Sequence, residues 1–391
     1  MRFNVKTIKH IKERTTDFQN LYNAFLRCRK KRKYREEVLR FSANLEENLH
    51  DLQRELREQT FDPGPYFETV IHDPVDRLIM WQSFRTRVVQ MALYLVINPE
   101  IARGYIEDSY ACIKDRGTEA AGHRLYYFMQ QAGRKEKNAL QRGETAAKQY
   151  ILKFDTSKYF YRIDHKIALE LLGKKVNYDA WTMWLLDLFI NTPGAKFGFP
   201  PGLGVKDVPK EDRLADKGLA PGSVINQLVA NLCQNELDHY CKRQLRIRYY
   251  VRYMDDGVCV GRLDEVKEWE EKVGAFLKEK LELELNPKKT FIVPIWAGVD
   301  FCQYRVFPDT IKLKKPTALR MKRNLKRVQR LYASGEMTLE RAKRTVTSYH
   351  GQLSHCDSYQ LRKKIFGIYT ASEWFDGWFF LQRKGGSKEP E

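Results

Sequence analysis

Two carboxylates stand side by side at Asp255 and Asp256, inside the stretch Tyr249-Tyr250-Val251-Arg252-Tyr253-Met254-Asp255-Asp256-Gly257-Val258-Cys259-Val260. The apolar runs on either side read as two short strands, so the pair falls on the turn of a hairpin. Adjacent anions held at a turn repel each other, and a divalent cation offsets that cost. Taken alone, an Asp-Asp-Gly turn is more often an ordinary β-turn. A third carboxylate, Asp155, stands a hundred residues earlier, where the strand at 150–154 gives way to the polar step Thr156-Ser157-Lys158. By itself it could as well start a helix. As a set, the three oxygen donors suit two Mg²⁺ ions, with Mn²⁺ as the alternative. Such a pair activates a 3′-hydroxyl and stabilises leaving pyrophosphate.

The elements that would position this set follow from pattern. Leu45, Leu49, Leu52 and Leu56 recur at helical spacing within 36–58, after the basic run Arg27-Cys28-Arg29-Lys30-Lys31-Arg32-Lys33. Pro63, Gly64 and Pro65 end that pattern, and residues 66–71 and 77–80 read as strands around an Asp73-Pro74 turn. Residues 87–96 are apolar at helical spacing, whereas 133–142 are polar and read as an exposed loop. A helix is expected over 164–172, and a long Gly- and Pro-rich loop over 191–218 that a partner helps to order. Ser223 is placed to cap a helix running to Leu237, and a charged helix spans 265–281. A strand pair after Gly298 leads into a helical tail from Pro316.

Bulk properties narrow the class. The chain has 391 residues, enough for two or three compact units, and 69 Lys and Arg against 50 Asp and Glu give a formal net charge of +19. That imbalance points to a polyanionic partner. Seven scattered cysteines without C-x-x-C spacing argue against a disulfide framework and a thiolate zinc site. The N-terminal segment lacks the apolar core of a signal peptide, and no run is long and apolar enough to span a bilayer, so a cytoplasmic protein with no membrane partner is expected.

In this order the pieces resemble a known family. YMDD after an apolar strand, FDTSKYFYRIDH before it and GLAPGSVINQLVANL between them are similar to motifs C, A and B of reverse transcriptases. Residues 285–290 resemble the family's L-N-x-x-K-T segment, and 298–304 its G-x-x-F-L-G-Y primer-grip strand. DPVDRLI, FRTRVVQMAL and SYACIKDRGTEAA resemble fingers segments of the bacterial enzymes, so the likeness covers roughly residues 36 to 360. It implies an α+β right-hand polymerase: a basic helical extension at 1–59, fingers at 60–149, a palm at 150–315 whose antiparallel sheet bears the aspartates, with a fingers-like insertion near 191–218, and a helical thumb and tail at 316–391.

The resemblance also implies roles. Asp155, Asp255 and Asp256 become the metal ligands and catalytic carboxylates, and Lys289 the proton donor to pyrophosphate. Arg77 would clamp triphosphate oxygens. Phe160 would exclude a ribose 2′-hydroxyl by sterics. Gly222 and Ser223 would let a dNTP approach the start of a helix, with Gln227 facing the same cleft. On the tail, Arg320, Lys322, Arg323, Lys326, Arg327 and Arg330 would grip an RNA/DNA duplex through phosphates, opposite an apolar side formed by Leu325, Val328 and Leu331 or Tyr332. The terminal aromatics Trp374, Phe375, Trp378, Phe379 and Phe380 would anchor the tail to a core or partner.

Within the family the likeness is strongest to the enzymes of bacterial and phage diversity-generating retroelements, which carry YMDD and end motif B in G-x-x-x-S-Q. Here Asn226 replaces that serine, Pro221 stands where those enzymes have an aliphatic residue, Val75 stands where a lysine is usual, and Cys302-Gln303 replaces Leu-Gly. These departures leave room for an antiphage defence enzyme. A non-catalytic, maturase-like RNA-binding protein is the reading from another class. The implied partners are a template RNA, dNTPs, a structured non-coding RNA and a small accessory protein.

Overall fold

The computed structural model describes residues 8–72, 76–143, 147–203 and 207–366, without the side chains of Asp76, Arg77, Lys135 and Phe366. In chain order the elements are α1 (Ile11–Thr15), α2 (Phe18–Arg29), α3 (Glu36–Ala43), α4 (Leu45–Glu58), β1 (Phe67–His72), β2 (Asp76–Trp81), α5 (Phe84–Ala102) and α6 (Thr118–Gln141). There follow β3 (Gln149–Asp155), α7 (Tyr159–Arg162), α8 (His165–Val176), α9 (Ala180–Ile190), α10 (Val224–His239), β4 (Tyr249–Tyr253), β5 (Asp256–Arg262) and α11 (Leu263–Leu281). The last are β6 (Phe291–Pro294), β7 (Val299–Phe301), β8 (Tyr304–Val306), β9 (Ile311–Leu313), α12 (Lys315–Ala333), α13 (Leu339–Ser354) and α14 (Tyr359–Phe366). The class is α+β, as expected.

The chain divides into two compact units. The first runs from the N-terminus to Asp115 and adds Phe154–Gly257 and Lys267–Phe291; the second holds Arg116–Lys153, Val258–Val266 and the chain from Ile292 onward. A four-stranded sheet in the order β4-β5-β3-β6 includes both strands that bear the carboxylates, and β5 lies beside β3. Non-consecutive neighbours in that order bring motifs distant in sequence side by side.

In the first unit the middle of α5 is apolar and mostly buried, because α1, α2, α3 and α10 pack around it, and Ser83 Oγ caps it by accepting from the Thr86 amide at 3.2 Å. The single helix expected over 36–58 is two, parted at Asn44 (φ −121°, ψ 53°), whose carbonyl accepts from the Asn48 amide. Leu49, Leu52 and Leu56 are fully buried on α4. Strands β1 and β2 form an antiparallel hairpin with Phe67 opposite Trp81. The described parts of 191–218 form no helix and are held by the chain itself, through the Gly198–Leu214 bridge and an ion pair from buried Arg213 to Glu68 at 2.8 Å.

In the second unit, residues 133–141 continue α6 and are not the loop expected from their polarity. The reason is composition: Arg, Lys, Glu, Ala, Leu and Gln are strong helix formers, and no proline interrupts them. One side of that turn is also used, since Gly133 lies against Pro308 and Trp296 Nε1 donates to Glu136 at 3.3 Å. After Gly298 there are three antiparallel strands, β7-β8-β9, where a pair was expected. A turn in which the Phe307 amide donates to the Thr310 carbonyl at 2.9 Å folds β9 back onto β8. Pro316 sits in the first turn of α12, where its missing N–H costs nothing. Met321, Leu325 and Val328 are the buried residues of α12; Tyr332 packs beside Val328. The aromatic ending at 374–380 lies outside the described residues. No helix among the described residues is long and apolar enough to cross a membrane.

Candidate active site

Strand β3 ends on Asp155, and the β4–β5 turn presents Asp255 and Asp256 beside it. The Thr156 amide donates to the Asp255 carbonyl at 3.2 Å and ties the two strand ends together. Beneath them the Phe154 ring occupies the space a side chain at Gly257 would need, because a Cβ there would lie 2.2 Å from the ring. The glycine after the carboxylates is therefore required by close packing. Burial, then the neighbouring Asp155 and Asp256 charges, push the Asp255 carboxyl up to about 6, only partly relieved by its own backbone amide and by Lys289. A cluster of this kind is strained electrostatically until a cation joins it.

Lys289 supplies positive charge to Asp155, with Nζ 3.0 and 3.1 Å from its two carboxylate oxygens. Asn286 clamps the same residue twice. Its amide donates to the Asp155 carbonyl at 2.7 Å, and its side-chain Nδ2 donates to Oδ2 at 3.1 Å. Asn286 belongs to the L-N-x-x-K-T likeness but was not singled out from the sequence.

The turn itself rests on a residue that sequence reasoning missed. Arg252 is fully buried, and its guanidinium grips both carboxylate oxygens of Asp238 at 2.7 Å. Nη1 donates to the Met254 carbonyl at 2.6 Å, and Nη2 to Ser109 Oγ at 2.8 Å. Asn231 Oδ1 accepts from both terminal nitrogens at 3.2 Å, and Tyr250 donates its hydroxyl to Asp238 at 2.7 Å. Burial would strip the guanidinium of its charge, but Asp238 outweighs it and holds the group above its ordinary range. Met254 is left-handed (φ 55°), a conformation a non-glycine residue keeps only where its surroundings hold it. The readable signal was a charged residue inside an otherwise apolar strand.

Motif B meets the same unit. Ser223 is buried, and its Oγ accepts from the Asn226 amide at 3.2 Å, so it caps α10. A Cβ on Gly222 would sit 2.1 Å from the Met80 carbonyl oxygen, so the glycine admits the backbone of β2. Gln227 Nε2 donates back to the Pro221 carbonyl at 3.2 Å. Gln234, further along α10, donates to Thr156 Oγ1 at 3.0 Å, next to Asp155. Phe160 is half-buried in α7 while its neighbour Tyr159 is buried, and the Phe160 carbonyl accepts from the Leu219 amide at 2.6 Å. Asp155, Asp255, Asp256 and Lys289 are thus brought together. The Arg77 side chain lies outside the described residues; its backbone belongs to β2, opposite Ile71.

Residues 76–348 match the family described as reverse transcriptase (RNA-dependent DNA polymerase). The chain belongs to the reverse transcriptase family. It therefore has the family's right-hand polymerase fold. No curated protein matches it. Among solved structures it is similar to a telomerase from Candida albicans in complex with a TWJ fragment of telomeric RNA, with 13% identity and a TM-score of 0.43 over 82% of this chain and 61% of that one. It is also similar to an apo telomerase from Candida tropicalis truncated from its C-terminal domain, with 12% identity and a TM-score of 0.42 over 63% of this chain and 54% of that one. This member of the family thus spans about six-tenths of the length of the first of them.

The donor set of this reverse transcriptase-family site fits divalent cations: carboxylate oxygens are the ligands Mg²⁺ prefers, and the ionisation of Asp255 is already disfavoured by burial and then by the charges of Asp155 and Asp256, which Lys289 offsets only in part. A separate group of donors, from Glu119, His123 and His355 of the second unit, lies within 4.8 Å of one another, with His355 and Glu119 paired at 2.7 Å. On α12, Lys322 is half-buried, whereas Arg320, Arg323, Lys326, Arg327 and Arg330 are exposed.

Proposed function

We propose that the chain is an RNA-directed DNA polymerase that extends a primer on a cognate RNA template in the cytoplasm of a bacterium. The observation that carries this reading is the carboxylate cluster, in which the half-buried Asp255 is pushed to about 6 beside the buried Asp155 and the half-buried Asp256. A pure RNA-binding protein, such as a maturase-like factor, gains nothing from concentrating anions next to its ligand. Two divalent cations held by these carboxylates would supply the Lewis acidity that activates the primer 3′-hydroxyl and offsets the charge of leaving pyrophosphate.

The chain's own residues do the rest. Asn286 and Lys289 fix the orientation of Asp155, and Lys289 is the residue that would donate a proton to the leaving pyrophosphate. Phe160, anchored through its carbonyl to Leu219, presents a ring where a 2′-hydroxyl would collide. Arg77 is the triphosphate clamp, with Gly222, Ser223 and Gln227 lining the nucleotide side of α10. The exposed cations of α12 grip the RNA/DNA duplex by its phosphates. By extent, 60–149 act as fingers, 150–315 as palm and 316–391 as thumb, behind the helical extension at 1–59.

A diversity-generating retroelement is the setting we favour, because Gly222 and Gln227 keep the spacing of that group's motif B. A structured non-coding RNA and a small accessory protein are then partners. An antiphage role is the second reading, favoured by Pro221 and Asn226, where the chain departs from that motif. Purified protein with Mg²⁺ or Mn²⁺, dNTPs and a primed RNA template is expected to extend the primer, and Asp255→Asn is expected to abolish extension. Failure of the wild type on every template, including RNA co-purified from its host, sinks the polymerase reading. A template repeat beside a matching variable gene would identify the retroelement; a defence island would identify the alternative.

A further inference from the structure

Away from the carboxylate cluster, two histidines and a glutamate converge in the second unit. Glu119 and His123 stand one turn apart near the start of α6, so their side chains leave the same face. His355 comes from the turn between α13 and α14, far later in the chain. One donor atom from each lies within 4.8 Å of the other two, and His355 Nδ1 is 2.7 Å from a Glu119 carboxylate oxygen.

Both supports of this group are fixed. A Cβ on Gly122 would lie 2.5 Å from the ring of Tyr304, so the glycine seats α6 on β8 and sets the rotation of the helix that carries Glu119 and His123. One turn on, Tyr126 donates its hydroxyl to the Asp309 carbonyl at 3.2 Å. The turn that carries His355 is held from two sides. The Asp357 amide donates to the Ile311 carbonyl of β9 at 2.7 Å, and Arg362 Nη2 donates to the Leu353 carbonyl at 2.6 Å. Cys356, the next residue, packs instead against the apolar cluster that includes Leu325 and Leu353.

Two imidazoles and one carboxylate, without a thiolate, form a borderline donor set. It suits Zn²⁺, or Co²⁺ in its place, better than Mg²⁺, which takes oxygen, or Cu⁺, which takes sulfur. With zinc bonds of about 2.0–2.1 Å, the ligand atoms of a tetrahedral site are about 3.3 Å apart. Glu119 and His355 are already closer than that, joined by a proton whose place a cation would take. The remaining gap, at most 4.8 Å, is small enough to close by a turn of the exposed His123 side chain.

We propose that Glu119, His123 and His355 form a separate metal site, a Zn²⁺ clamp that joins the start of α6 to the turn after α13. It does not depend on the polymerase reading, since none of its donors belongs to the carboxylate cluster. Unfolding of this unit would then have to release the ion, so zinc stabilises it by mass action.

The test strips the full chain with a chelator, dialyses it and titrates it with Co²⁺ in the presence of excess Mg²⁺, which competes for the aspartates. Four-coordinate Co²⁺ with nitrogen ligands absorbs strongly in the visible, whereas six-coordinate Co²⁺ on oxygens absorbs weakly. The wild type is expected to develop the strong band at one ion per chain, and Zn²⁺ is expected to remove it. His123→Ala and His355→Ala should each weaken Zn²⁺ binding at least about a hundredfold, since the loss of even an outer-shell partner costs up to that much. Glu119→Gln, close to isosteric, serves as a further variant, and metal-free variants that melt with the metal-free wild type exclude misfolding. Zn²⁺ should raise the melting temperature of the wild type and of Asp255→Asn, but not of the histidine variants. A wild type that takes up no more zinc than His123→Ala overturns the proposal. Loss of the strong band in Asp255→Asn would place the ion on the aspartates and overturn it as well. Because neither template nor nucleotide is present, absence of primer extension would defeat the polymerase reading and leave this result standing.

Discussion

Arg252 donates to the Met254 carbonyl at 2.6 Å while both carboxylate oxygens of Asp238 hold its guanidinium from the other side. The turn bearing Asp255 and Asp256 is thereby fastened to α10 by a fork that only arginine offers. Removing one partner of a fully buried ion pair leaves a bare charge and costs about 3–5 kcal/mol. Arg252→Met is expected to lose that much in urea titration. Adding Asp238→Leu should recover most of the stability, since the orphaned carboxylate goes with it, but not the activity. A double variant that extends primers like the wild type would show that the Met254 contact does not position the turn.

Asp255 makes stability depend on pH in the direction opposite to a paired carboxylate. Its folded-state value of about 6 lies above the ordinary 3.8. The folded state therefore holds its proton longer than the unfolded chain, and stability falls as pH rises from about 4 through about 6. The shift of about two units corresponds to about 3 kcal/mol, absent from the protein above that window. Without added metal at pH 7.5, Asp255→Asn should melt higher than the wild type, and Mg²⁺ should raise the melting temperature of the wild type more than that of the variant. A lower melting temperature for the variant would contradict the cluster's electrostatic strain.

Gly257 and Phe154 set the spacing between β3 and β5. A methyl group 2.2 Å from the ring cannot be accommodated without movement, so Gly257→Ala should destabilise the protein by about 1–3 kcal/mol. Combining it with Phe154→Leu should restore part of the loss, measured by denaturant midpoint. Additive losses in the double variant would mean that the two side chains do not compete for one space.

Lys289 is 60% exposed and Asp155 10%, so their ion pair contributes little to stability. Lys289→Gln is expected to leave the melting temperature within a few degrees. If Lys289 protonates the leaving group, single-turnover incorporation should slow about a hundredfold with KM little changed. A change confined to KM would assign the lysine to binding alone.

Much of the local architecture was readable. The hairpin 249–260 and the cap at Ser223 are set by alternation and by a side-chain oxygen three residues before an amide, both short-range effects. Polarity misled at 133–141, because helix propensity and contacts with Trp296 and Pro308 outweigh an exposed composition.

By itself the sequence determined the identity and order of the chemical groups: the three aspartates, the lysine after Asn286, the glycine before Ser223 and the excess of cations. Those are covalent facts, and local pattern placed them at strand ends and helix starts. What only the tertiary structure decided is which distant groups share a surface. Ser109, Asn231, Asp238 and Arg252 meet because α10 packs beneath β4, and Gly222 is a glycine because the Met80 carbonyl lies 2.1 Å from where its Cβ would be. Glu119 and His355 meet because α6 is seated on β8 and the turn after α13 is tied to β9. Such pairings depend on long-range packing and on where buried polar groups find partners, and no period along the chain encodes them.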